Sequence, residues 1–292
     1  MNALIFGVNG QDGYYLSLLL EKNGVNVTGV SRSKGDWIEG DVGNFNFVSG
    51  LIQKNKPDYI FHLAANSSTR HELLFENYET ISTGTLNILE AAYRHSPGSK
   101  VFISGSGLQF VNKGVPISEK DAFDPNSSYS VARIQSVFAG RYYRSLGLKV
   151  YVGYFFNHDS PLRSEKHVNQ KIVQSLKRIA AGSNEKLELF DISVRKEFSF
   201  AGDLMEAIFL LVRNDLVFEA VIGSGKAYSI EDWLNICSEA YNIEWRSKVQ
   251  QGKSLRKEYD VLVCDPGTII NLGWQPKHDI KALAKMMLAG QS

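Results

Sequence analysis

The sequence predicts an α/β fold in which a doubly wound parallel sheet carries helices on both faces. Apolar runs of strand length alternate with helical segments through the first half of the chain, and a glycine-rich turn joins the first strand to the first helix. The chain has 292 residues, of which 43% are hydrophobic. That length and composition support one large domain, or one domain with a smaller lobe, around a sizeable core.

The glycine-rich turn comes first. Gly7, Gly10 and Gly13 follow an apolar run at residues 3–6 and precede a helix-forming segment. Glycine lets the backbone approach a diphosphate, and the N–H groups at the start of the next helix bind it. The spacing differs from the commoner G-x-G-x-x-G, but its place between strand and helix predicts a Rossmann-like dinucleotide site. The alternative is a glycine-rich turn without a ligand.

The second predicted strand, residues 25–30, ends in Ser31-Arg32-Ser33. An acidic residue here would accept the adenosine ribose hydroxyls of NAD, whereas an arginine suits the additional phosphate of NADP. Arg32 therefore favours NADP and leaves NAD possible. The alternative is an ordinary surface arginine.

The third predicted strand follows a helix at residues 45–54 and covers residues 59–63. Small residues come after it, beginning with Ala64 and Ala65, and they would let a nucleotide lie against the backbone. His62 precedes the end of the strand, so we expect it to be a packed strand residue. Residues 72–94 have the apolar spacing of one long helix.

The next strand, residues 100–104, leads towards a helix that runs to about residue 146. Tyr129 and Arg133 are four residues apart in that helix and share one face. A cation one turn away favours the phenolate, so the two form a candidate proton-transfer pair. The alternative, a tyrosine and an arginine capping a surface helix, is favoured by the spacing alone.

The second half of the chain loses the regular alternation after a strand at residues 149–156. Helices are predicted at residues 168–180, 203–212 and 229–241, and strands at residues 187–190 and 217–222. We predict a dinucleotide-binding domain over residues 1–157. Residues 158–292 would form a smaller, mixed and mainly substrate-binding lobe, with a strand and a helix returning to the main sheet around residues 187–222. Its scattered basic residues could clamp a diphosphate, although such residues commonly form a solvated face.

The composition excludes several classes of function. A net charge of +1 gives no case for nucleic acid or an acidic membrane surface. Cys237 and Cys264 provide no disulfide framework and no metal-binding spacing, which suits a reducing compartment. We see no signal peptide and no stretch long enough to span a bilayer, and we expect a cytoplasmic protein without a metal.

These segments resemble the extended short-chain dehydrogenases/reductases, and more narrowly the GDP-mannose 4,6-dehydratase branch. The most specific matches are Gly10-Gln11-Asp12-Gly13 and the run Phe156-Asn157-His158-Asp159-Ser160-Pro161. Further matches at residues 31–32, 62–67, 84–86 and 272–274 extend the resemblance over nearly the whole chain in family order.

The resemblance implies a cofactor site and a nucleotide-sugar site. The cofactor residues it implies are Gly7, Asn9, Gly10, Gln11, Asp12, Gly13, Arg32, Asp41, Val42, Leu63, Ala64, Ala65, Tyr129, Arg133 and Phe156. The substrate residues it implies are Asn66, Ser67, Asn157, Lys171, Lys196 and Arg256. In the family the helices equivalent to residues 72–95 and 128–147 form a dimer interface, which makes a homodimer the expected state.

The chain departs from the family pattern where the chemistry should be. The family's Ser-Thr-Ser-Glu strand end is Ser104-Gly105-Ser106-Gly107 here, and its Tyr-x-x-x-Lys has Arg133 in place of lysine. In the family the glutamate removes the C5 proton and helps to expel water from C6. Loss of such an acid–base group typically costs about 10²–10⁴-fold in rate.

The sequence therefore predicts an NADP-dependent enzyme that acts on a nucleotide-linked sugar, a GDP-sugar, through redox chemistry at C4. Tyr129 would be the acid or base, Arg133 its electrostatic support, and Ser106 or Ser104 the hydroxyl partner. A 4-keto reductase or 4-dehydrogenase is chemically easier without the glutamate, while family membership favours a 4,6-dehydratase. The alternative from another class is a protein that binds NADP and a nucleotide sugar without catalysis.

Overall fold

The computed structural model describes residues 1–252 and 259–290. The strands are β1 (Asn2–Phe6), β2 (Asn26–Ser31), β3 (Ile38–Glu39), β4 (Tyr59–His62), β5 (Lys100–Ser106), β6 (Lys149–Phe155), β7 (His158–Asp159), β8 (Leu187–Leu189), β9 (Arg195–Glu197), β10 (Ser199–Phe200), β11 (Glu219–Ile222), β12 (Ala227–Ser229), β13 (Val249–Gln251) and β14 (Val261–Leu262). The α-helices are α1 (Gln11–Lys22), α2 (Phe45–Asn55), α3 (Leu74–Asn77), α4 (Gly84–His95), α5 (Ser128–Ser145), α6 (Val168–Ala180), α7 (Ala201–Arg213), α8 (Ile230–Glu239), α9 (Gly267–Asn271) and α10 (Ile280–Ala289).

The main sheet has seven strands in the order β11-β6-β5-β4-β1-β2-β3, and all its neighbours pair in parallel. The chain winds in one direction from β1 to β3 and in the other from β4 onwards. The strand order reverses between β1 and β4, and a crevice at the carboxyl ends of such strands is where ligands bind in open α/β sheets. The predicted fold class is confirmed.

Alternate residues of β1 show why both faces of the sheet are covered. Ala3 and Ile5 pack in one core with Leu16 of α1 and with α7, whereas Leu4 and Phe6 pack on the opposite face with α2 and α4. Successive strand residues point to opposite faces, so a continuous apolar run requires helices on both sides. This burial fixes the position of the turn that follows β1.

The predicted long helix at residues 72–94 is interrupted. A 3₁₀ turn (His71–Leu73) and α3 lead into a π-helical segment (Tyr78–Thr83) before α4 begins. A π-helical turn inserts an extra residue and changes which side chains face inward. Thr80, in this segment, is buried and lines a cavity at the sheet edge.

The second half of the chain contributes both to the main sheet and to a lobe. Strand β11 pairs with β6, and α7 packs on the main sheet. Strand β8 pairs instead with β13, outside the main sheet. Helices α6, α8 and α10 surround a separate core that contains Phe198 and Trp233, whose rings stack 5.1 Å apart. The boundary at residue 157 stays a prediction.

Within the described ranges, no helix combines the length and the apolar character required to span a membrane.

Candidate active site

Two cavities lie side by side at the carboxyl ends of the main-sheet strands. The outer cavity, of about 330 Å³, lies beside β2 and is lined by residues that include Asn9, Arg32 and Val42. The inner cavity, of about 260 Å³, lies beside β5 and β6 and is lined by residues that include Tyr129 and Arg133. Gly7, Gly10, Leu63 and Ala65 line both cavities, so the glycine turn joins them into one groove.

Each glycine of the turn is required for a different reason. Gly7 has φ +93°, and a Cβ there would lie 2.5 Å from the Ala64 nitrogen. A Cβ on Gly13 would lie 2.5 Å from Cα of Val8. Both positions therefore exclude a side chain through the protein's own backbone.

Gly10 differs, because a Cβ there would meet only the Gly7 carbonyl oxygen, at 3.4 Å. The space that Gly10 leaves opens into both cavities. Gly10 is also the N-cap residue of α1, and because glycine has no side chain, no side-chain oxygen at this position accepts a hydrogen bond from the first N–H groups of the helix. This arrangement fits a diphosphate that lies against the turn.

Arg32 lines the outer cavity and donates from Nη2 to Oε1 of Glu76 at 2.9 Å. Beside it, Asn9 Nδ2 donates to Ser33 Oγ at 3.0 Å. Val42 and Ala64 also line this cavity. The outer cavity therefore combines an apolar wall with one guanidinium and several polar side chains at its edge.

The pair predicted from helical spacing lies in the inner cavity. Tyr129 is 5% exposed, and the guanidinium carbon of Arg133 lies 5.2 Å from the centre of its ring. Arg133 is itself buried and donates from Nη1 to the hydroxyl of Ser104, at 2.7 Å, and to the carbonyl oxygen of the same residue. These bonds hold the cation beside the tyrosine.

The two candidate serines have different surroundings. The hydroxyl of Ser104 donates to the carbonyl oxygen of His62 at 2.9 Å while it accepts from Arg133. The hydroxyl of Ser106 accepts from the Leu108 N–H at 3.2 Å and lines the inner cavity with Tyr129. Both serines line the inner cavity; the Ser104 hydroxyl is used to hold Arg133, whereas Ser106 is placed to meet a ligand.

The glycines between and after these serines make room for aromatic rings. A Cβ on Gly105 would lie 2.5 Å from Cδ1 of Tyr154, and a Cβ on Gly107 would lie 2.9 Å from Cε1 and Cζ of Phe156. Both rings are buried, and the Tyr154 hydroxyl donates to Glu219 at 2.6 Å. The aromatic rings thus occupy the space where larger side chains at positions 105 and 107 would begin.

A second set of polar residues reaches the inner cavity from the segment after β6. His158, Arg163 and His167 line it. The resemblance placed the Asn157-His158 segment at the nucleotide sugar, but sequence reasoning did not name Arg163 or His167. Their position just after the run that ends at Pro161 was the signal that could have found them. Arg163 brings a positive charge into this cavity.

His158 ties this segment to the glycine turn. Its Nδ1 donates to the Phe156 carbonyl oxygen at 2.8 Å, and its Nε2 lies 3.0 Å from Oδ1 of Asp12. Burial opposes the charged ring, but the Asp12 carboxylate raises the pKa of His158 above its usual value. The Ser160 hydroxyl adds a bond to Oε1 of Gln11 at 2.9 Å. Gln11 and Asp12 therefore line the inner cavity and also fasten α1 to this segment.

Two other histidines near the groove have lowered pKa values. Burial and the charge of Arg163 lower the pKa of His167 to about 4. Burial and the charge of Arg133 lower the pKa of His62 to about 4, and His62 lies within β4 as a packed residue. Both rings are neutral near pH 7.

The remaining predicted residues are divided between the groove and other places. Phe156, Asn157 and Ser67 line the inner cavity. Asn66 lies in the same loop as Ser67 without lining either cavity, and Asp41 accepts from the Gly43 N–H at 2.8 Å. Their binding roles stay predictions.

Lys171 and Lys196, two of the predicted basic residues of the lobe, line neither cavity. Lys171 donates to the Glu188 carbonyl oxygen at 2.8 Å. Lys196 is buried with its Nζ 5.5 Å from the ring of Phe198, and burial lowers its pKa. Arg256 lies outside the described residues. In the part of the chain that the structure describes, no cluster of three His, Cys, Asp or Glu could hold a metal ion.

A parallel sheet with a glycine turn after β1 and a Tyr-x-x-x-Arg pair at its carboxyl edge has the architecture of the extended short-chain dehydrogenases/reductases. Residues 4–287 match the family model for GDP-mannose 4,6 dehydratase, and the chain belongs to that family. The resemblance found in the sequence is confirmed.

Individual relatives agree with this assignment. GDP-mannose 4,6 dehydratase 1 of Arabidopsis thaliana is 28% identical over 318 aligned positions, gaps included, and the match covers 98% of this chain and 88% of that protein. UDP-glucose 4-epimerase of Thermotoga maritima, solved with UDP-glucose, superposes with a TM-score of 0.88 at 21% identity over 99% of this chain and 98% of that one. RMD from Pseudomonas aeruginosa, solved in complex with NADPH, superposes with a TM-score of 0.86 at 20% identity, over 99% of this chain and 97% of that one. At these identities the two structures show the fold.

Proposed function

We propose that this protein is an NADP-dependent enzyme that oxidises or reduces C4 of a nucleotide-linked sugar, in the first place a GDP-sugar. The observation that carries the proposal is the inner cavity itself. It presents Tyr129 and Arg133 beside the glycine turn, while Phe156 fills the space at position 107. Family membership and the substrate names of the relatives support a nucleotide sugar.

The groove fits a nicotinamide dinucleotide. Gly10 leaves space for the diphosphate, the start of α1 offers N–H groups, and Arg32 favours the additional phosphate of NADP over NAD. The NADPH bound by RMD from Pseudomonas aeruginosa supports a nicotinamide cofactor on this fold. Such a cofactor, when bound, supplies the hydride exchange at the sugar carbon.

The chain's own residues supply the proton chemistry. Tyr129 holds or takes the proton of the C4 oxygen, and Arg133, fixed by Ser104, keeps a positive charge beside the phenol. Ser106 donates a hydrogen bond to the same oxygen from the wall of the cavity. Arg163, which also pairs with Asp159 at 3.3 Å, brings a guanidinium to the inner cavity that can bind a phosphate group of the substrate.

Water elimination from C5 and C6 would need a further acid–base group beyond Tyr129. Gly107 provides no such group, and the ring of Phe156 would meet any side chain placed there. For this reason we place a 4-keto reductase or 4-dehydrogenase first. The second candidate is a 4,6-dehydratase, which the family match over residues 4–287 favours.

The test uses the purified protein with NADP⁺ and GDP-mannose, and with NADPH and a 4-keto-6-deoxy GDP-sugar. A C4 redox enzyme changes the nicotinamide absorbance in step with the sugar. A dehydratase instead yields a product lacking one water with no net change in the cofactor. Tyr129→Phe should lower the rate about 10²–10⁴-fold while dinucleotide binding is retained. If the protein binds the dinucleotide but converts neither sugar, it acts as a binding protein, and the proposed enzymatic function is wrong.

We further propose that the protein is a cytoplasmic homodimer. The outer faces of α4 and α5 expose Leu86 and Tyr93, and Phe138 and Tyr142, whereas residues of this size are usually buried. A second copy of the same helix pair would cover these side chains by two-fold symmetry. Both cysteines are free and buried, as suits a reducing compartment.

A further inference from the structure

The guanidinium that lines the outer cavity already has a partner on another element. Arg32, just after β2, donates from Nη2 to Oε1 of Glu76 in α3 at 2.9 Å. The Arg32 side chain is 50% exposed and that of Glu76 is 34% exposed, so solvent reaches both groups. The ion pair therefore connects two elements at the edge of the outer cavity and can be opened without unfolding either one.

The surroundings of Arg32 suit a phosphate ester. Among the described residues that line the outer cavity, Arg32 is the one cationic side chain. The hydroxyls of Ser31 and Ser33 lie 3.2 Å apart beside it, and the Ser33 N–H donates to Ser31 Oγ at 3.2 Å. A phosphate on the adenosine ribose would meet this guanidinium and these hydroxyls together.

We propose that Glu76 competes with the 2′-phosphate of NADP for Arg32 and so limits the preference of the protein for NADP over NAD. This inference rests on the dinucleotide site of the proposed function. When NADP binds, either Arg32 leaves Glu76 or the phosphate dianion lies beside a carboxylate of like charge. NAD carries no such phosphate, and the ion pair stays closed when it binds.

The experiment compares dissociation constants for NADPH and NADH, measured by fluorescence titration at low and high salt. The variants are Glu76→Gln, Arg32→Gln and, as a matched control, Glu79→Gln. Glu79 is an exposed carboxylate three residues further along the same helical stretch, with its side chain at Gly43. Glu79→Gln therefore removes one negative charge from the same region, as Glu76→Gln does, but leaves the ion pair of Arg32 with Glu76 intact.

Glu76→Gln should tighten NADPH binding about two- to fivefold and change NADH binding less than about 1.5-fold. Arg32→Gln should weaken NADPH and leave NADH nearly unchanged. High salt should reduce the gain from Glu76→Gln because both interactions are exposed. A competition titration of the unmodified protein with adenosine 2′,5′-bisphosphate and with AMP measures the same phosphate contribution without a variant.

Three different results would overturn the inference, and each points to a different cause. An equal gain from Glu76→Gln and Glu79→Gln would assign the effect to the overall charge. If Arg32→Gln weakens NADPH binding but Glu76→Gln does not change it, Glu76 has no role in the preference for NADP over NAD, and the cofactor site itself is still supported. Failure of the unmodified protein to bind NADPH or NADH would overturn the proposed function together with this inference.

Discussion

The packing of Phe156 against Gly107 makes a quantitative prediction about the site. In Gly107→Ala the new Cβ would lie 2.9 Å from two ring carbons and 3.0 Å from a third. Ordinary carbon–carbon contacts are about 3.5–4.0 Å, so the buried ring has to move by roughly 0.5–1 Å. Overpacking of this kind costs about 1–3 kcal/mol of unfolding free energy.

The second arm of the prediction removes the ring. Phe156→Ala alone should cost about 3–5 kcal/mol, because the side chain is only 2% exposed and leaves a cavity. In the double variant Gly107→Ala with Phe156→Ala the methyl group enters that cavity. The loss should therefore fall short of the sum of the two single losses by about 1–3 kcal/mol.

Urea unfolding of the wild type, both single variants and the double variant gives this coupling. Gly50→Ala is the matched control, since Gly50 lies inside α2 and a Cβ there would meet nothing within 4 Å. It should stabilise the protein by about 0.5–1 kcal/mol. Losses at 107 and 156 that simply add, or a neutral Gly107→Ala, would refute the claim that Phe156 excludes a side chain from position 107.

Three further predictions concern the groove and the surface. Gly10→Ala should fold normally, because the protein leaves room for its Cβ, but it should weaken dinucleotide binding at least about tenfold, because that Cβ enters the space of the ligand. Gly7→Ala should instead lower the midpoint of unfolding, because its Cβ would clash with the backbone at Ala64. Asp12→Asn should lower the thermal midpoint most below about pH 6.5, where His158 is protonated and its ion pair with Asp12 stabilises the folded state. The difference from the wild type should shrink as the pH rises through the raised pKa of His158. A difference that stays constant from about pH 5 to about pH 9 contradicts this prediction. The proposed homodimer predicts that the wild type sediments as a dimer and that Phe138→Ser with Tyr142→Ser shifts it to monomer; a monomeric wild type contradicts the dimer, and a variant that stays dimeric places the interface elsewhere.

Much of the fold was predictable because its signals are local. The apolar run before Gly7 and the glycines after it defined the first strand, turn and helix, and the structure has them in that order. The interruption of the helix at residues 78–83 was not predictable, because the residues on either side still fit a helical apolar pattern and nothing in the sequence marks where the extra residue of a π-helical turn is inserted. The sequence did not assign β8 to a sheet, because the pattern of a three-residue strand does not say which strand it pairs with; the structure pairs it with β13.

The candidate site divides in the same way. The spacing of Tyr129 and Arg133 placed both on one helical face, and the structure adds that Ser104 holds the guanidinium in place. The sequence alone gave no reason for glycine at positions 105 and 107. For Gly105 that reason lies in the parallel register of β5 and β6, which pairs it with Tyr154; for Gly107 it lies in the ring of Phe156, just after β6.

The sequence by itself determined the family, the doubly wound sheet, the glycine turn and the tyrosine–arginine pair, because each depends on residues close together in the chain. The tertiary structure alone decided that Phe156 fills the space beside Gly107, that Asp12 holds His158, and that Glu76 holds Arg32. Each of these contacts joins residues from different elements. Their distances follow from strand register and from the packing of helices on the sheet, which no local pattern encodes.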